Sequence, residues 1–570
     1  MADGNRRTVT SRSEDGSWRV RILDEREAVL GAGVLLGRGT VLTCAHVVPP
    51  DGHVLVDRVD AAGRPVRAQV IEGCWIPEET DRFDDPGGDV ALLALDTPQP
   101  QECGATLHRV VPTSGRAVSM CGYPRRFDGG VWFRAEIAGR AGRDGRVQMF
   151  PRTPQEVVRP GFSGAAVTDN ETGRVIGIVV NRYRDSDGLC LSYMIPTETV
   201  LRHLPQVRTW AHGPSAVDAA LVRSGDQETG DSSFAERLAR WLDGGGPAVR
   251  ISTVRPGDED RTRALHRAIM LADRELSGRG SVRRPAAGSA AVPAVGSLDL
   301  AVDAARRSAH SIAAQLAERL GLTAAAGGPA DPGAALTDAL DRIRGAQVPL
   351  TVVVDGVDDA PDPPALLDLL ATLAERSCRL LLILHGTGSA ELNRAVLEIA
   401  ARPRLARLSA LLDDITGRAQ QQLADRCAWI DTDVGRATRA LTRAHTLRSH
   451  LDRLGATRPG STPLPPPSPP ELDAMEGTAE QALAGVEEAI GRLDRHIARC
   501  EVLRGRLRPY QAMLAERGAA EQPAVEALYR RARDLLWHPP CDPVQAEEAV
   551  DRYTEAVRRW IGGTPGEEAP

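Results

Sequence analysis

Between residues 17 and 200 the apolar residues come in short runs separated by Gly, Pro and Asp: WRVRIL, AVLGAGVLLG, TVLTCAHVV, HVLVDRV, DVALLAL, RAVSMCGY, VIGIVV and LSYMIP. Each run has the length of a strand, and the residues between them are turn formers. Many short strands at near-regular spacing predict a β-barrel or a sandwich. Residues 206–232 are polar and rich in Gly and Ser, which predicts a linker.

From residue 233 the period changes. FAERLARWL has the three/four spacing of an amphipathic helix, AVRISTV reads as a strand and TRALHRAIMLADREL as a helix. Helical segments near 303–320 and 334–344 lead to the strand LTVVVDGVDDA. A helix over 363–376 and the strand RLLLILHGTG follow. Strands alternating with helices predict a parallel α/β sheet, and the region 233–455 is assigned to it, with helices to its end. RPGSTPLPPPSPPE predicts an extended proline-rich linker at 456–472. Residues 474–518 and 523–561 repeat apolar residues at helical spacing, so 473–562 is expected to be an α-helical module, an antiparallel coiled coil or a bundle. Trp537, Tyr553 and Trp560 read as contacts within it.

The length of 570 residues agrees with several cores rather than one. A net charge of -7 and the lack of any basic stripe argue against nucleic acid or an anionic membrane as partner. All 70 basic residues are arginine, which excludes chemistry that needs an ε-amine, such as a P-loop lysine or a Schiff base. The start of the chain lacks an apolar segment of signal-peptide length, and LLLIL is far too short to cross a bilayer. The nine cysteines form no Cys-x-x-Cys pair or Cys/His cluster. No metal or cofactor is expected, and the thiols read as buried or idle in a reducing cytoplasm.

Three short motifs carry chemistry. In VLTCAHVV, His46 follows an apolar strand. In PGGDVALLAL, Asp89 stands at the mouth of a buried strand, and it is preferred to Asp84 and Asp85 because it directly precedes the apolar run. In RPGFSGAAV, Gly161 and Gly164 flank Ser163 in a tight turn. A serine hydroxyl is a weak nucleophile until an imidazole takes its proton. A carboxylate on the other ring nitrogen fixes the tautomer and stabilises the imidazolium. The N–H groups of Gly161 and Ser163 are the expected donors to a developing oxyanion.

These motifs, in the order His, Asp, Ser, resemble the chymotrypsin/trypsin-like serine peptidases. Thr43-Cys44-Ala45-His46, Asp89-Val90-Ala91-Leu92-Leu93, Gly161-Phe162-Ser163-Gly164 and Ser192-Tyr193-Met194-Ile195-Pro196 are similar to that family's signatures. The resemblance covers about 190 residues of a domain assigned to 1–205, and implies two packed six-stranded barrels and cleavage of a protein or peptide substrate. Phe162 stands where the family has Asp or Asn, and Ala165 where it has Gly. Val157 is a candidate for the specificity pocket.

The middle region resembles the STAND class of P-loop regulatory NTPases, through FAERLARWL, AVRISTV followed by Arg255-Pro256-Gly257, LDLAVDAARRSAHSIAAQLAERLGL and Thr351-Val352-Val353-Val354-Asp355-Gly356. The last is similar to a Walker B strand, which makes Asp355 the match to the Mg²⁺-holding aspartate. In RPGDEDRTR, Arg261 and Thr262 would match the phosphate-loop Lys and Ser/Thr, with Asp260 in place of a glycine; if Pro256-Gly257 sets the register, Asp260 takes the lysine position instead. That loop lacks the lysine and brings carboxylates to where phosphates sit, so it reads as degenerate.

The expected fold class is therefore multidomain: an N-terminal all-β double barrel, a central α/β P-loop-like domain and a C-terminal α-helical region. The expected function is that of a cytoplasmic serine endopeptidase, governed by the degenerate domain and by a regulatory partner docked on the C-terminal helices. By analogy of domain order it would act as an effector in bacterial defence. The rival readings are an inactive peptidase-fold scaffold or sensor, and an ATP-driven switch.

Overall fold

A computed structural model describes residues 16–562 except for 59–63, 82–84, 101–102, 154–157, 185–189, 223–230, 279–291, 323–331, 346–348, 377, 431–434, 456–466, 468 and 517–521. Asp84, Val157 and most of the expected proline-rich linker lie outside the described residues. By contacts the chain divides into two compact units, residues 1–400 and 401–570.

Six strands form the first barrel: β1 (Arg19–Leu23), β2 (Val29–Leu36), β3 (Thr40–Thr43), β4 (His53–Arg58), β5 (Val66–Thr80) and β6 (Pro86–Leu95). They close in the order β1-β2-β3-β6-β5-β4. Closure leaves no strand edge unpaired. Alternating residues such as Val20, Ile22, Val54 and Val56 point inward and bury their apolar surface together with Leu42 and Leu93.

The second barrel uses β8 (Ala117–Gly122), β9 (Val131–Ala141), β10 (Arg146–Pro151), β11 (Ala166–Asp169), β12 (Val175–Arg184) and β13 (Cys190–Pro196); the short β7 (Leu107–His108) precedes them. The order β11-β8-β9-β10-β13-β12 is closed by a β11–β12 pairing. After β13 come α1 (Thr197–His203) and β14 (Ala211–His212), and β14 pairs with β7 outside the ring. The N-terminal region is thus the double six-stranded barrel expected from the sequence.

The same compact unit contains a four-stranded sheet. In chain order its elements are α2 (Ser232–Leu242), β15 (Val249–Thr253), α3 (Glu259–Ala272), β16 (Leu300–Asp303), α4 (Ala309–Arg319), α5 (Pro332–Gly345), β17 (Thr351–Asp355), α6 (Pro363–Glu375) and β18 (Arg379–Leu384). The strand order is β15-β18-β17-β16, and every pair is parallel. The strands TVVVD and RLLLIL are apolar on both faces because helices cover both. Val352, Val354, Leu380 and Leu382 pack with Ile312, Leu316 and Leu370, while Val353, Leu381 and Ile383 pack with Trp241, Leu265 and Ile269. Upstream of α2, residues 216–218 lie along β16: Ala301 donates to the Ala216 carbonyl at 2.7 Å.

Residues 401–570 are helical where described. α7 (Ala390–Asp414) continues through a π turn at Ile415–Ala419 into α8 (Gln420–Cys427), followed by α9 (Gly435–Gly455), α10 (Pro469–Glu516), α11 (Pro523–Trp537) and α12 (Pro543–Gly562). α10 packs on α9 through Ala479 and Val486, and on α11 and α12 through Leu503 and Leu507. Tyr553 is buried in this core; Trp537 is 42% exposed and meets α10 through the Arg504 guanidinium, 5.4 Å from its ring, and Trp560 is 36% exposed. No described helix is long and apolar enough to cross a membrane.

Candidate active site

His46 follows β3 in a single 3-10 turn, Ala45–Val47. The turn is fastened on several sides. Trp75 Nε1 donates to the carbonyls of Ala45 and Val48, each at 3.1 Å. Thr43 Oγ1 donates to the Ala32 carbonyl at 2.8 Å, and the Cys44 thiol reaches across to the Val179 carbonyl of the second barrel at 3.3 Å. Burial pushes the Cys44 thiol well up, helped by the neighbouring Asp89 charge, so it stays protonated.

Asp89 lies within β6 and is fully buried. Its φ of 68° and the 70° of Gly88 put two successive residues in the left-handed region. For a non-glycine residue this is an uncommon, strained backbone that the surroundings must hold. The twist points the carboxylate at His46. Oδ1 accepts the His46 backbone N–H at 3.0 Å, and Oδ2 lies 2.7 Å from Nδ1. Burial opposes ionisation of Asp89, but the bonds from His46 and the nearby charges outweigh it and hold the carboxyl below its usual range. An ionised Asp89 accepts the Nδ1 proton, which leaves Nε2 as the basic nitrogen. Asp85 lies elsewhere, in a surface ion pair with Arg143 at 3.3 Å.

Ser163 sits in the turn between β10 and β11. Gly161 has φ 108°, and a Cβ there would lie 2.4 Å from the Tyr123 carbonyl; Gly164 has φ 84° and would collide with the Ala32 carbonyl. Only glycine fits either place. Phe162 is directed away from the site into the second core, edge-on to Phe133 at 6.2 Å. The Asp or Asn of the family pattern is thus replaced by an apolar anchor for the turn. Strand β2 brings the two loops together. The Ser163 carbonyl accepts from Ala32 N–H at 2.8 Å, and a Cβ on Gly31 would lie 2.9 Å from that oxygen and 2.8 Å from Val47, the neighbour of His46. Among the described residues the N–H groups of Gly161 and Ser163 have no backbone acceptor, and no hydrogen bond joins the Ser163 hydroxyl to the His46 ring. Nucleophile–base bonds are often long in a site without substrate.

Residues 31–178 match the family model described as a trypsin-like peptidase domain. The chain carries a trypsin-like peptidase domain. Among solved structures it is similar to an HtrA-type protease, AlgW with decapeptide, at 20% identity over 37% of this chain and 72% of that one, with a TM-score of 0.27. It is also similar to the active form of the Rv3671c protease from M. tuberculosis, at 24% identity over 33% and 79%, TM-score 0.25. A third is neuropsin from mouse brain, at 15% identity over 35% and 96%, TM-score 0.27. No curated protein matches the chain.

The other predicted residues lie at the carboxyl edge of the central sheet, the side on which open α/β sheets bind ligands. The loop after β15 turns back on itself. The Asp258 side chain caps α3 by accepting from Arg261 N–H at 3.2 Å, and Thr262 Oγ1 donates to the Asp258 carbonyl at 2.9 Å. The Arg261 guanidinium pairs with Asp231 at 3.1 Å. A carboxylate therefore stands where a phosphate would meet the helix N-terminus.

Asp355 ends β17 and lies 3.2 Å from His385 Nε2; Asp359 lies 2.6 Å from Nδ1 of the same ring. Asp358 Oδ2 accepts the N–H groups of Gly386, Thr387 and Gly388 at 2.7–3.2 Å, and its Oδ1 accepts that of His385 at 2.7 Å. This is an anion nest filled by the protein's own carboxylate. Sequence reasoning missed His385, whose only signal was its place directly after β18. Among the described residues no hydrogen bond or ion pair joins Arg261 or Thr262 to Asp355.

Two groups offer ligand types for a metal, Cys44/His46/Asp89 and Asp358/Asp359/His385. In the first the thiol is protonated and the carboxylate is bonded twice by His46. In the second both imidazole nitrogens already face carboxylates.

Proposed function

We propose that the chain is an intracellular serine endopeptidase in which Ser163 is the nucleophile, His46 the general base and then acid, and Asp89 the group that orients and stabilises the imidazolium. The Gly161 and Ser163 N–H groups would receive the oxyanion. The observation that carries this reading is the buried, left-handed Asp89 bonded by both oxygens to His46, together with strand β2, whose Gly31 packs against both Val47, the neighbour of His46, and the carbonyl of Ser163 in its glycine turn. In this mechanism Nε2 takes the Ser163 proton as Oγ attacks the peptide carbonyl, and returns it to the leaving amine; water then repeats the cycle on the acyl-enzyme. Hydrolysis of an unfolded protein substrate by the full chain, lost in Ser163→Ala with an unchanged thermal melt, supports it. Equal hydrolysis by that variant would refute Ser163 as the nucleophile, and a folded wild type that hydrolyses nothing would favour the scaffold reading.

We further read the sheet of 233–400 as a degenerate nucleotide-switch fold that governs the peptidase, and the helices beyond it as a partner-binding module. The Asp258 cap and the His385 bridge favour a domain without nucleotide over an ATP-driven switch. Calorimetry of the full chain with Mg²⁺–ATP is expected to give no saturable heat at micromolar concentration.

A further inference from the structure

The left-handed pair Gly88–Asp89 does not hold its shape alone. Both backbone groups of Gly88 are gripped by the hairpin that joins β9 to β10. Asp144 Oδ2 accepts the Gly88 N–H at 3.1 Å, and Arg146 Nη2 donates to the Gly88 carbonyl at 3.3 Å. Asp144 is in turn fixed from α1. Arg202 Nη2 bonds to its carboxylate and, at 2.8 Å, to its carbonyl, while His203 Nε2 lies 3.2 Å from Oδ2. Burial works against the Asp144 charge, but these partners outweigh it and keep the carboxyl below its usual range.

The other side of the hairpin belongs to the α/β region. Gly145 adopts φ 74°, and a Cβ there would lie 3.0 Å from Val295 Cγ1 and 3.3 Å from Arg274 Cγ. Val295 and Arg274 are buried, and α1 is held by the same surface: Glu198 pairs with Arg319 at 2.8 Å. The hairpin is therefore clamped between the α/β region and the residue that precedes Asp89.

We infer that Asp144 is a positioning residue for the peptidase reaction, and that the α/β region bears on the triad by pressing the 141–146 hairpin onto Gly88. The inference rests on the reading of His46, Asp89 and Ser163 as a working triad. It gives the governing role of the α/β region a physical route. A neutral, uncharged acceptor at 144 still holds the Gly88 N–H, whereas a methyl group does not. Without that bond the left-handed pair relaxes, and the carboxylate swings off Nδ1. A misplacement of about 1 Å costs on the order of 100-fold in rate.

The test uses the full chain and five proteins: wild type, Asp144→Ala, Asp144→Asn, Val295→Ala and a Ser163→Ala control. Two readouts are taken: kcat and KM on a fluorogenic peptide, and the far-downfield proton resonance of the His46 Nδ1–H···Asp89 bond. Asp144→Ala is expected to lose about 30- to 100-fold in kcat with KM within about two-fold, and to lose the resonance. Asp144→Asn restores kcat to within about five-fold of wild type and keeps the resonance. Val295→Ala, which leaves a gap under Gly145, lowers kcat by about three-fold or more. Wild-type kcat and resonance in Asp144→Ala would overturn the positioning role. A lost kcat in Asp144→Ala beside an unchanged kcat in Val295→Ala would overturn the route from the α/β region. Should Asp144→Ala fail to fold, an Asp144→Asn protein as slow as a Ser163→Ala control would overturn it equally. If the wild type itself cleaves nothing, the peptidase reading fails, and the resonance still decides whether Asp144 holds Asp89 against His46.

Discussion

Two of the molecule's Asp–His clusters, one in the barrels and one at the edge of the α/β sheet, differ in one respect. In the barrels, His46 gives Nδ1 to Asp89 and keeps its other nitrogen for chemistry, with a side chain 29% exposed. At the edge of the α/β sheet, His385 has Asp359 on Nδ1 and Asp355 on Nε2. In the proposed mechanism the first is the base. The second is a closed bridge, with the ring held between two carboxyl groups. The same residue types thus leave one nitrogen open for the proposed reaction in the one case, and form a structural clasp where both are engaged in the other.

The largest effect is expected at the open pair. Ser163→Ala and Asp89→Asn should lower kcat by about 10⁴-fold or more, the latter because an amide oxygen and nitrogen no longer dictate the tautomer. Steady-state kinetics with an active-site titration checks this. By contrast, His385→Gln should leave kcat within about two-fold, since no step uses that ring. A loss of rate in His385→Gln comparable to that of Asp89→Asn would break the comparison.

The next effect concerns the clamp between the barrels and the sheet. Glu198 and Arg319 are fully buried and bonded at 2.8 Å. Glu198→Ala leaves the Arg319 charge without its partner and should destabilise the 1–400 unit by about 3–5 kcal/mol. Urea unfolding followed by tryptophan fluorescence reads this as a lower midpoint. Replacing both residues by apolar ones of similar size should recover part of the loss.

The smallest effect sharpens the closed pair. Burial works against a charged His385 ring, but the bonds to Asp359 and Asp355 outweigh it and raise its pKa. A raised folded pKa gives stability that is complete below the unfolded value near 6.5 and is lost as pH rises through the folded value. Burial raises Asp355, and His385 only partly offsets this. Asp358 goes the other way. Burial opposes its charge, yet the N–H groups of the nest lower its pKa, so its stabilisation is present above the unfolded value and lost as acid brings pH down through the folded one. Thermal melts of wild type against His385→Gln should therefore diverge most near pH 6 and converge above neutrality, by about 1–3 °C. A constant offset at all pH values would contradict a charged bridge.

The difference between the two pairs also explains what could be read from the chain. The barrel strands and the residues of the proposed triad were legible because each sits beside a local pattern: His46 after TVLT, Asp89 before VALLAL, Ser163 between two glycines. The parallel sheet was legible from its doubly apolar strands. What escaped depends on contacts between distant residues. Asp144 acts on a backbone N–H 56 residues away, and His385 meets Asp355 30 residues back. No period or motif marks either. The polar stretch after residue 205 read as a linker, yet Ala216 and Val217 line β16 through main-chain bonds, to which side-chain polarity is indifferent. Phe162 departs from the family pattern, and the second core explains it, since the ring packs against Phe133 and Gly122.

The most direct measurement is the site of fluorophosphonate attachment in the full chain, mapped by peptide mass spectrometry in wild type, Asp89→Asn and Ser163→Ala. The account predicts a single adduct on Ser163 in the wild type, greatly slowed in Asp89→Asn and absent in Ser163→Ala. An adduct that persists in Ser163→Ala, or a wild type that takes up no probe while correctly folded, would contradict it.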